Sequence, residues 1–102
     1  MTILREQDIQ RGILDALAWR GVYAIRLNSG AIKTERGGLV RGAPAGTPDV
    51  LCIIGGRAVF FEVKRPGKKA TALQEEMHAR LRAAGATVAV VTSIDEALEV
   101  LP

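Results

Sequence analysis

Apolar residues recur at Ile9, Ile13, Leu14 and Leu17, with Asp8, Gln10, Arg11 and Asp15 between them. This spacing follows the turn of a helix and predicts an amphipathic one over residues 5–20, closed by Gly21. VYAIRL (22–27) predicts a strand, and the Gly- and Pro-containing stretch 28–48 a long loop. A loop of that length in so small a chain is more often functional than structural. DVLCII (49–54) and RAVFFEV (57–63) flank Gly55-Gly56, the pattern of a hairpin with a two-residue turn. Leu51, Ile53 and Phe60 make one face of that hairpin apolar, and Val50, Cys52, Val59 and Phe61 the other. A sheet buried on both sides needs helices above and below it. Thr71 to Gln74 has the form of a capping box, and it opens a helix with the stripe Leu73, Met77, Leu81 and Ala84, closed by Gly85. ATVAVVT (86–92) is the next strand, and Ser93 to Glu96 opens a short last helix by a second capping box. The expected fold is α/β, a small mixed sheet with helices on both sides. A right-handed crossover sets strand 86–92 parallel to strand 57–63.

The 102 residues predict a single domain, 1–102, large enough for a modest core. Cys52 is the one cysteine and His78 the one histidine, so an intrachain disulfide, a Cys-built zinc site and a His-rich metal cluster are excluded. Any metal must be held mainly by oxygen, which suits Mg²⁺ or Mn²⁺. The formal charge of +3 is a weak pointer to a polyanionic partner. No apolar run approaches the ~18 residues of a membrane span. The N-terminus lacks a signal-peptide pattern, so a soluble, cytoplasmic protein is expected.

The hairpin register can be counted from its turn. Ile54 faces Arg57, Ile53 faces Ala58, and five steps out Asp49 faces Glu62. Two like charges directly opposed destabilise a sheet. Lys64 follows on the same face, one pleat further out, and Pro48 favours an extended entry to the strand. Solvated strand ends account for each of these charges singly. A bound divalent cation accounts for them jointly. Asp49, Glu62 and the Val63 carbonyl would be its oxygen ligands, with a metal-acidified water as nucleophile and Lys64 to orient it or stabilise phosphate charge.

Basic residues form two groups beside these acids. Lys33, Arg36 and Arg41 precede Asp49, and Arg65, Lys68 and Lys69 follow Lys64. This arrangement suits a groove that tracks phosphates. Asn28-Ser29-Gly30 either contacts phosphate or turns the chain. Trp19 and Tyr23 read as core or interface residues, which leaves no aromatic platform for stacking single-stranded bases.

Gly46-Thr47-Pro48-Asp49, twelve intervening residues and Glu62-Val63-Lys64 resemble the PD-(D/E)xK nuclease superfamily. With Glu6 before them and Gln74 after, the chain resembles the VRR-NUC domains within it. Val90 to Ser93 stand where that family's naming motif has an arginine pair. The resemblance spans nearly the whole chain and implies a restriction-endonuclease-like core and a metal-dependent DNA endonuclease. It adds Glu6 and Gln74 to Asp49, Glu62 and Lys64 as catalytic residues. Gln74 also serves as the third residue of its capping box, and Glu6 also complements the helix dipole. His78, one helical turn after Gln74, reads as a surface or half-buried histidine. The small size resembles stand-alone phage members, which implies a homodimer acting on branched DNA such as four-way junctions, in a bacterial or phage-infected cell. Two alternatives stay open: an idle nucleic-acid-binding module, and a nuclease for RNA or linear DNA ends.

Overall fold

The computed structural model describes residues 4–27 and 31–102, apart from the side chains of residues 31–33 and 41. Asn28, Ser29 and Gly30 lie outside the described residues, as do the side chains of Lys33 and Arg41. The elements run α1 (Glu6–Trp19), β1 (Ala24–Arg26), β2 (Ala31–Lys33), β3 (Leu39–Arg41), β4 (Val50–Ile54), β5 (Arg57–Val63), α2 (Ala72–Ala83), β6 (Thr87–Val91) and α3 (Ile94–Val100). The main sheet has the order β1-β4-β5-β6, with β6 parallel to β5 and the other pairs antiparallel. The β4–β5 register is the counted one from Ile54 on Arg57 to Val50 on Phe61, and it stops there, short of the expected opposition of Asp49 and Glu62. Gly55 and Gly56 both hold positive φ, 56° and 80°, which a two-residue turn matching strand twist requires.

One face of the sheet carries the core. Val50, Cys52, Val59, Phe61 and Val63 point from it onto Ile9, Ile13 and Leu17 of α1 and Ala97 of α3. Burying a side chain such as Phe61 or Leu17 contributes roughly 1.5–3 kcal/mol each. That packing fixes α1 across the sheet.

The second face differs from expectation. α2 packs against β6, and His78 is its buried residue. Leu73 and Ala84 are exposed, while Met77 and Leu81 are half-buried. Ile25 and Ile53 stay exposed on this face. One 12-residue helix cannot cover four strands, so the hairpin is fully buried on one face only. Trp19 and Tyr23 are exposed and take no part in the core.

Two local readings also change. The stretch 28–48 contains the hairpin β2–β3, Ala31 facing Arg41 and Lys33 facing Leu39, in a sheet of its own. Its glycines, which read as loop, sit in the turn. There the Thr34 amide donates to the Gly38 carbonyl, and Gly37 takes a positive φ of 82°. At α3, Ser93 Oγ accepts from the Glu96 amide, but the Glu96 carboxylate turns back to Thr92, accepting from its amide and its hydroxyl. The second capping box is therefore half made.

Candidate active site

β5 runs past its neighbour. Regular pairing with β4 ends at Val50 opposite Phe61. The Asp49 amide also donates to the Phe61 carbonyl, at 3.0 Å, so two successive residues address one, as in a β-bulge. Continued pairing would set residue 48 against Val63, but Pro48 has no N–H to donate. The Asp49 side chain fills half of the gap. Its Oδ2 accepts from the Val63 amide at 2.7 Å. The Val63 carbonyl is left without a backbone donor from that strand, in a residue 2% exposed.

This locks Asp49 at the tip of β5 and aims its carboxylate at Glu62. Glu62 is 2% exposed, an unusual place for a carboxylate. Its pKa is raised to about 8. Burial is the main cause, followed by the Asp49 carboxylate, to which a protonated Glu62 can donate, while the charge of Glu6 adds a smaller push. Lys64 opposes the shift. The Lys64 amide donates to the Val91 carbonyl at 2.9 Å, so the β5–β6 ladder extends far enough to fix Lys64 beside the acids.

His78 is the residue that the sequence reading missed. It is 1% exposed, and its Nε2 lies 3.3 Å from Glu62 Oε1. Burial pushes its pKa down while that of Glu62 is pushed up, so near neutral pH this contact is a neutral hydrogen bond and not an ion pair. The signal was available in the spacing. His78 lies one turn after Gln74, on the side of α2 that meets the sheet.

The other expected residues are placed as follows. Glu6 is exposed in the first turn of α1, not on its buried stripe, and it acts on Glu62 only through charge. Gln74 is half-buried and caps α2: its Oε1 accepts from the Thr71 amide at 2.9 Å, and its own amide donates to Thr71 Oγ1. Arg65, Lys68 and Lys69 are exposed just past β5, in a turn closed by the Lys68 amide donating to the Arg65 carbonyl. Arg36 is exposed at the β2–β3 turn. Lys33 and Arg41 are at strand positions, not in a loop.

The donor set fits a hard divalent cation. Two carboxylates converge there, close enough for Asp49 to raise the pKa of Glu62, next to the Val63 carbonyl, which Pro48 cannot pair. Among the described residues no three His, Cys, Asp or Glu side chains converge. The set is thus two carboxylates and a carbonyl, all oxygen donors, which suits Mg²⁺ better than a soft metal.

Gly46 holds this end in place. Its φ is +89°, and a Cβ there would stand 2.9 Å from the Leu73 carbonyl oxygen at the start of α2. Gly46→Ala is therefore expected to destabilise the protein by about 1–3 kcal/mol. It should also loosen the entry to Asp49. Urea unfolding of the variant checks this; an unchanged midpoint would show that the loop packs differently.

Comparison with known proteins agrees with this geometry. No family model and no curated protein matches the chain. Solved structures do. One named "VRR_NUC domain" aligns with a TM-score of 0.68 at 26% identity, over 92% of this chain and 90% of that one. Another, named "VRR_NUC domain protein", aligns with a TM-score of 0.68 at 24% identity, over 97% and 86%. The second likeness is one of fold; the first extends to sequence across nearly the whole length.

Proposed function

From the premise that this chain is a VRR-NUC domain, a nuclease-type fold, we propose that it is a Mg²⁺- or Mn²⁺-dependent DNA endonuclease acting on branched DNA. The observation that carries the metal-dependent part is the acid pair of half-buried Asp49 and buried Glu62 at the tip of β5, with Lys64 beside it. A divalent cation bound there would supply an acidified water and neutralise charge on the scissile phosphate.

The chain's own residues prepare that chemistry. Asp49 is held rigid by the Val63 amide, so its free oxygen is presented without a search over rotamers. Glu62 is steadied by His78, and a divalent cation bound between it and Asp49 would favour its ionised form. The Lys64 ammonium, half-buried on the same face, stabilises negative charge that grows on the phosphate in the transition state. Glu6 adds negative potential from α1. The Gln74 side-chain Nε2, not used in capping, remains able to donate to a phosphate oxygen or a water. Arg36, Arg65, Lys68 and Lys69, with Lys33 and Arg41, would carry the flanking phosphates. The preference for branched DNA rests on the resemblance to small stand-alone members. So does a homodimer, which the half-covered sheet face bearing Ile25 and Ile53 supports.

The test is cleavage of labelled linear duplex, single strand, flap and four-way junction by wild type and Lys64→Ala, with Mg²⁺, Mn²⁺ or EDTA. The expected result is metal-dependent cutting, strongest on the junction, that falls by about 100-fold or more in Lys64→Ala. Binding without cutting under every metal would instead mark an idle binding module. The sedimentation mass of the same preparation decides the dimer.

A further inference from the structure

The basic residues discussed so far lie after β5 or in the β2–β3 hairpin. A third group comes together only in the fold. Arg5, at the N-cap of α1, Arg11, two turns into it, and Arg26, at the end of β1, line one polar cleft of about 320 Å³ with Gln7 and Asp8. Nothing in the spacing 5, 11 and 26 announces this. Strand β1 pairs with β4 so that Arg26 faces Val50, on the side of the sheet that α1 covers.

Three guanidiniums share the cleft with the single carboxylate of Asp8. Arg5 is paired with it, Nε to Oδ2 at 3.2 Å. Among the described residues, Arg11 and Arg26 have no ion-pair partner. Two guanidiniums without ion-pair partners beside one hollow favour an anion between them.

The cleft lies at the end of the sheet that bears the acids. Arg26 pairs with the residue after Asp49, and the Leu27 amide donates to the Asp49 carbonyl at 2.7 Å. Glu6, between Arg5 and Gln7, is close enough for its charge to act on Glu62. Lys64, Arg65, Lys68 and Lys69 stand on the other flank. The acid pair therefore has cations on both sides.

We propose that the Arg5–Arg11–Arg26 cleft is a phosphate subsite that holds the backbone of duplex DNA on the α1 side of the acid pair. This rests on the nuclease reading above and adds to it a second wall of the DNA groove. Arg11 and Arg26 bind phosphate directly, and Arg5, tied to Asp8, shapes the cleft.

The experiment measures the affinity of the whole protein for a labelled duplex in EDTA, across a salt series. Wild type is compared with Arg11→Ala/Arg26→Ala and with Arg57→Ala, whose site is exposed at the far end of the β4–β5 hairpin. Each lost phosphate contact lowers the slope of log K against log salt by about 0.9, so the double variant should lose about 1.8. Arg57→Ala should keep the wild-type slope. Urea unfolding verifies that each variant is folded. An unchanged slope in the folded double variant, or an equal loss in Arg57→Ala, overturns the subsite while leaving the nuclease reading intact. A wild type that binds no duplex in EDTA overturns the subsite, and the cleavage assay with metal decides the nuclease reading separately.

Discussion

Glu62→Gln is expected to abolish metal-dependent cleavage, by about 100-fold or more, and yet to leave the metal-free protein at least as stable as wild type at pH 8. The two effects share one cause. The Glu62 side chain is buried against Asp49, where its ionised form is disfavoured and its pKa is raised to about 8. Ionisation in the absence of a cation costs folding energy, and glutamine cannot ionise. Glutamine keeps the shape and can still hydrogen-bond to His78 at the position of Glu62 Oε1, so no buried partner is abandoned. It loses the anionic oxygen that a divalent cation needs. Loss of a second-shell group around a metal typically costs 10–100-fold, and loss of a ligand should exceed that. Cleavage rates and urea midpoints on the same preparations check both halves. A variant that is inactive and also much less stable would mean that Glu62 is a structural acid and not a metal ligand.

The metal-free wild type should lose stability as pH rises towards 8, and Mg²⁺ should restore it. The sign follows from linkage. A carboxyl with a folded pKa of about 8 and an ordinary value of 4.5 holds its proton in the folded state across that interval, while the unfolded chain has released it. The folded state then binds more protons, and stability falls as pH rises. His78 acts in the opposite sense, because its folded pKa is lowered from 6.5, so its contribution rises with pH until the unfolded histidine has titrated. The clean window is therefore pH 6.5 to 8, where only Glu62 remains. A cation that binds the ionised pair adds stability by mass action, more at pH 8 than at pH 6.5. Thermal melts at the two pH values, with Mg²⁺ or EDTA, measure this, and Glu62→Gln should flatten both dependences. A wild type whose melting temperature rises from pH 6.5 to 8 in EDTA would mean that the acids are not coupled in this way.

Much of this molecule is decided by local sequence. The Gly55-Gly56 turn sets the β4–β5 register as far as Val50 opposite Phe61, because a two-residue turn permits only one pairing of its flanks, and the irregular step at Asp49 then brings its side chain to the Val63 amide beside Glu62. Thr71 and Gln74 begin α2 by bonds that span three residues. The helical period of Ile9, Ile13 and Leu17 fixes the face of α1 that is buried. Each of these is an interaction between near neighbours in the chain, or a count outward from one. Even the acid pair was legible for this reason, since the hairpin converts a distance in sequence into a distance in space.

Tertiary structure decided what depends on elements brought together from afar. Leu73, Met77 and Leu81 have the period of a buried stripe, but a single helix over four strands leaves much of that face to solvent. The one buried residue of α2 is the polar His78, because Glu62 waits beneath it. Trp19, the last residue of α1, is apolar and yet exposed. Arg26 joins Arg5 and Arg11 only because β1 adds to the edge of β4. Local pattern fixed the elements and the hairpin register up to the residue beside Asp49. The packing of distant elements, which no spacing along the chain encodes, fixed their burial, their partner His78 and the arginines beside them.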